Sequence, residues 1–194
     1  MVLVGCDDYS RADFEEKVNS EDVRADRSAA VQAVRNELTA LTSAMPWLDW
    51  RANSVGQKCW PESAGLIKQT YWLRCMTGLT AYAGYDGDLT GAIQRFGDTV
   101  EAAGWNASSG GVTEVSYWGP RGPCGPSLTL SQSWVTAGTL PRVEERHPDD
   151  GPFRPVYERK EPLDDRAVQA EILARHQYAV VVALGAQCDH DVDD

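Results

Sequence analysis

The sequence predicts an α+β fold, a mainly antiparallel sheet with helices packed on one face. Two kinds of periodicity coexist in it, apolar residues recurring every two positions in some segments and every three or four in others. The strand-like segments come in neighbouring pairs, which favours antiparallel pairing over a repeating βαβ order. At 194 residues with 42% apolar composition, the chain has enough material for one core. One domain is expected.

Ser28 is placed to cap a helix whose residues Val31, Val34, Leu38, Leu41 and Met45 share a face, ended by Pro46. Trp47 to Trp50 reads as a strand, the stretch through Gly56 and Cys59 to Pro61 as a loop, and Gln69 to Leu79 as a second strand. Asp86-Gly87-Asp88 is turn chemistry, with Asp88 capping a helix that carries Leu89, Ile93, Phe96, Val100 and Ala103 and stops at Gly104. Val112 to Trp118 and Leu128 to Val135 are expected to pair as a hairpin. The Gly-Pro-rich stretch Gly119 to Ser127 between them reads as a stiff loop pinned by Cys124. Residues 141–166 hold 14 charged residues and five of the ten prolines, and read as an exposed excursion. Leu163 to Arg175 regains helical spacing, and Gln177 to Gln187 is a strand buried on both sides.

Cysteine positions carry most of the functional signal. Leu3-Val4-Gly5-Cys6 has the form of a bacterial lipobox, in which a small residue precedes a cysteine that receives a diacylglyceryl group. Only five residues precede Cys6, so the string reads as a signal cut short; the plainer alternative is an ordinary strand start with a buried thiol. Setting Cys6 aside leaves Cys59, Cys75, Cys124 and Cys188, an even number suited to two disulfides in an exported protein. Their pairing stays open among three connectivities, and four reduced core thiols remain the cytosolic alternative. The expected organisation is a lipid-anchor region 1–6, a polar tether 7–27, one domain 28–188 and an acidic tail 189–194.

Eighteen Lys and Arg against 29 Asp and Glu give a net charge of −11, which disfavours nucleic acid as a partner. No apolar run approaches the roughly 18 residues of a membrane span. Local catalytic motifs such as Gly-x-Ser-x-Gly, Ser-x-x-Lys and His-Glu-x-x-His are missing. Of the histidines, His147 lies in the excursion, His176 after the last helix and His190 in the tail, where a solvated end is favoured over a metal site. Asp86 and Asp88 read as turn and cap rather than a catalytic pair. Seven tryptophans and seven tyrosines beside three phenylalanines point chiefly to aromatic core filling, with stacking on a sugar or a protein partner as the alternative for any that are exposed.

The lipobox-like Leu3-Val4-Gly5-Cys6, the long amphipathic helix, the Trp-containing strand and Ala102-Ala103-Gly104-Trp105 at a helix end together resemble small actinobacterial surface lipoproteins, those of the mycobacterial LppA type and their streptomycete relatives. The layout is more loosely similar to the sensor domains of actinobacterial receptor kinases. The resemblance spans Ser28 to Val135, and the excursion 141–166 and the fourth cysteine depart from it. It implies an anchored extracytoplasmic protein that needs no cofactor. The expectation is therefore a cell-surface lipoprotein held to the membrane only through Cys6, its fold stapled by Cys59, Cys75, Cys124 and Cys188. It would bind a protein or small molecule rather than catalyse, with no metal and no cofactor. An exported hydrolase built from scattered Asp, His and Ser is the alternative.

Overall fold

The computed structural model describes residues 9–64, 70–110, 114–125, 127–137 and 154–192. Four helices and seven strands follow the order α1 (Arg11–Lys17), α2 (Glu21–Ala44), β1 (Asp49–Ala64), β2 (Thr70–Tyr85), α3 (Leu89–Ala102), β3 (Asn106–Gly110), β4 (Glu114–Arg121), β5 (Ser127–Val135), β6 (Tyr157–Lys160), α4 (Asp165–Leu173) and β7 (Tyr178–Asp191) among the described residues. All seven strands form one sheet in the order β3-β4-β5-β7-β2-β1-β6, and every pairing is antiparallel. The α+β class and its antiparallel sheet are thus present. The last strand, β7, joins a β1–β2 hairpin to a β3–β4–β5 meander, so the sheet is completed only when the chain's C-terminal part arrives.

Helix α2 packs across β7 and β2 and reaches β1. Its buried residues Val23, Arg27, Ala30, Val34, Leu38 and Leu41 fall at helical spacing and meet Leu79, Val180, Val182 and Leu184 of the sheet. On α3, Phe96 and Val100 join the same core, and the carboxylate of Asp88 accepts the N–H groups of Thr90 and Gly91, the cap expected from sequence. Gly104 ends this turn at φ +90°, a conformation glycine adopts without strain. Short α4 is the exception to a one-sided arrangement. Ile172 packs with Tyr82 and Ala179, residues that alternate with the main-core positions of β2 and β7, so α4 covers part of the opposite face.

Several expected boundaries move. The tether expected over 7–27 is helical from Arg11, and Phe14, Val18 and Val23 are buried against the domain. Their apolar surface is what draws the segment onto the core. The loop expected from Arg51 to Pro61 is the body of β1, paired from Asp49 to Ala64 with β2. Part of the excursion 141–166 is ordered structure: Tyr157–Lys160 adds an edge strand to β1, and α4 begins at Asp165. The tail expected from Asp189 instead continues β7 to Asp191, with His190 turned into the protein and Asp189 and Asp191 outward. His147 and Cys6 lie outside the described residues.

Candidate functional site

Cys59, Cys75 and Cys188 occupy one row across β1, β2 and β7, because Cys59 is opposite Cys75 and Cys75 is opposite Cys188 in register. Disulfides join Cys59 to Cys75 and Cys124 to Cys188. The first ties neighbouring strands, and the second pins the Gly-Pro-rich turn after β4 onto β7, the role expected of Cys124. Loops of 16 and 64 residues imply about 3 and 4 kcal/mol respectively from restriction of the unfolded chain. Two such bonds belong to an oxidising, extracytoplasmic environment. Among the described residues, no helix is long and apolar enough to cross a membrane.

A second cluster surrounds His176, just beyond α4. Its Nδ1 lies 2.7 Å from Asp86 Oδ2 and its Nε2 lies 3.0 Å from Asp49 Oδ2. Both ring nitrogens are thus within hydrogen-bond distance of a carboxylate oxygen. Gln177 N donates to Asp86 Oδ1 at 2.8 Å, and Arg51 pairs with Asp49. This N–H, followed by the His176 contact, holds the Asp86 carboxyl below its usual range. The ring lies against Gly84, where a Cβ would fall 2.2 Å from His176 Cδ2. The cluster thus ties the start of β1, the turn after β2 and the approach to β7, with both ring nitrogens of His176 facing carboxylates.

The third cluster lies between α2 and the β1–β6 edge. A cleft of about 400 Å³ is lined by Arg24, Arg27, Arg35, Gln57, Tyr157 and Arg159, together with Val31, Val55 and Glu161. Positions 24, 27, 31 and 35 are one stripe of α2, and register with Gln57 brings Arg159 to the same side of the sheet. Glu161 is already engaged, by Arg35 Nη2 at 2.5 Å and by Val55 N at 3.0 Å. Arg27 is only 7% exposed, its guanidinium 3.8 Å above the Tyr157 ring centroid. Its Nε and Nη1 are buried without a hydrogen-bond partner among the described residues. Burial lowers its pKa from the ordinary value, Tyr157 works against that shift, and the neighbouring charge of Arg24 adds to it.

The remaining sequence candidates have structural places. Asp88 is a helix cap, whereas Asp86 does more than the expected turn by receiving His176 and Gln177. His190 is buried under α2, its Nδ1 3.8 Å from Asp26 Oδ2. No group of three metal-ligating side chains occurs among the described residues. Trp105, Trp134, Tyr82 and Tyr117 fill the interior as expected, while Trp118 is 52% exposed on β4. The arginine cleft escaped sequence reading, although Arg24, Arg27 and Arg35 at helical spacing are its visible trace. Comparison of the chain with family models, curated proteins and solved structures finds no match.

Proposed function

We propose that this protein is a lipid-anchored extracytoplasmic binding domain, a cell-surface lipoprotein in the manner of the small actinobacterial lipoproteins its sequence resembles, with Cys6 as the acylated residue. The observation that supports this reading best is the disulfide pairing. With Cys59, Cys75, Cys124 and Cys188 consumed in two bonds, Cys6 is the odd thiol, and it stands at the lipobox-like string. A diacylglyceryl group supplies two chains and holds firmly where one acyl chain would not.

The anchor would hold the domain close to the membrane. Tyr9 packs on Tyr71 with ring centroids 5.2 Å apart, and it lies three positions after Cys6 in the chain. Three residues span at most about 10 Å. A domain carried so near the bilayer acts on what reaches the membrane surface rather than sweeping a large volume on a tether.

Intact mass and membrane fractionation of the protein from its producing cell test the anchor. The expected product partitions with membranes and carries a diacylglyceryl adduct on Cys6; a water-soluble product with unmodified Cys6 overturns the reading. Thiol titration under denaturing, non-reducing conditions tests the compartment. At most one reactive thiol is expected, and five would overturn it.

A further inference from the structure

A chain with a net charge of −11 places four arginines around one cleft. Against their four positive charges the described lining holds the single carboxylate of Glu161, so three positive charges remain unbalanced among the described residues. Arg24, Arg27 and Arg159 have no carboxylate partner among the described residues. Burying a guanidinium with unpaired N–H donors is costly in a folded protein and persists where something else satisfies it. The Tyr157 ring packs on the Arg27 guanidinium and holds it at the wall of the cleft, with Nε and Nη1 lacking partners among the described residues. Guanidinium donors are the protein groups best suited to the oxygens of a tetrahedral or planar anion.

We propose that the cleft between α2 and β6 binds the phosphate group of a small organic phosphate or of a lipid headgroup, with Arg27 as the buried anchor and Arg24 and Arg159 as the rim. Phosphate suits the site better than a single carboxylate because it brings up to two charges and at least two free oxygens to three guanidiniums without a carboxylate partner among the described residues. Val31 and Val55 offer apolar wall, and Gln32 and Ser28 offer hydrogen bonds, to the organic part of the ligand. The volume of about 400 Å³ lies in the range of small-molecule sites. The free metabolite and the headgroup present the same chemistry, and the short reach from Cys6 to the fold puts both within range of an anchored domain.

The proposal rests on reading the domain as a binding module and not on the anchor, so the test uses the full chain purified without acylation. Calorimetric titration with glycerol phosphate, and flotation with phosphatidylcholine vesicles with or without phosphatidylglycerol, separate the two sources. Saturable, salt-sensitive binding of glycerol phosphate in the millimolar range or tighter assigns a soluble ligand. Binding to the anionic vesicles alone assigns a headgroup. In either case Arg27→Gln and the double variant Arg24→Gln/Arg159→Gln are expected to weaken binding at least about tenfold. Binding unchanged in the double variant, or no binding to either probe, overturns the proposal. The exposed rim arginines make no ion pair among the described residues, so the double variant folds even where Arg27→Gln does not.

Discussion

At His176 the polar ring atoms are met from within the chain by Asp86 and Asp49, whereas in the cleft under α2 three guanidiniums stand without a carboxylate among the described residues. Both clusters join a helix to sheet elements, and both contain a largely buried nitrogen-bearing side chain: the His176 side chain is 15% exposed and Arg27 7%. The difference lies in what completes them. Asp49 and Asp86 complete His176 from within the chain, so that cluster is a tie and its removal should be felt as lost stability. Nothing in the described chain completes Arg27, so that cluster holds charge in reserve for something outside it.

The largest expected effect comes from breaking the tie without touching any charged group. In Gly84→Ala the new Cβ would overlap the root of the imidazole, whose Cδ2 and Cγ lie 2.2 and 2.6 Å from that position. The ring must leave, and both carboxylate contacts go with it. A loss of about 1–3 kcal/mol is expected from overpacking at such a site, readable as a lower urea midpoint. An unchanged midpoint would mean that the ring has no fixed place.

Arg27→Met should act in the opposite direction. It removes buried unpaired donors and keeps a long unbranched side chain, while losing the stack on Tyr157. A net gain of about 1 kcal/mol is expected in the unliganded protein, with loss of phosphate binding. A strong destabilisation would instead identify Arg27 as a structural residue like His176. Gln32→Glu sharpens the same contrast at smaller magnitude. A carboxylate placed at the cleft supplies the missing anion from within, so thermal stability should rise by a degree or two as affinity for glycerol phosphate falls.

These clusters also explain which parts of the molecule the sequence disclosed. Elements with an uninterrupted pattern were legible: α3 between its Asp88 cap and Gly104, and β5 with its strict alternation of buried and half-buried residues. The first two turns of α2 were not, because the inward position between Val23 and Ala30 is held by an arginine. A charge in the apolar stripe looks like the end of the stripe, so Ser28 was a more natural start than Ser20. The residue that makes the cleft is the one that hid the helix. The outer part of β7 was hidden in the same way, since Asp189, His190 and Asp191 read as a tail while only His190 points inward. The His176 tie joins residues 49, 86 and 176 through tertiary structure alone, and no local spacing announces it.

The smallest effect, and the one that separates the clusters in a single experiment, is their response to acid. Asp86 is held below its ordinary value of 3.8 by the N–H of Gln177 and then by His176. A carboxyl with a depressed folded pKa contributes stability that is complete above its unfolded value and is lost as pH falls through the folded one. The tie should therefore be intact down to about pH 4 and weaken below it. Guanidiniums do not titrate in that range, so the cleft keeps its charge, and phosphate affinity should decline earlier, near pH 6, where the ligand's second proton returns. Melting curves of the wild-type protein and Asp86→Asn, taken from neutral pH downwards, should differ by about a degree at pH 7 and converge as the wild-type carboxyl protonates. A constant difference down to the acid limit would show that Asp86 supports the turn after β2 by its shape and not by its charge.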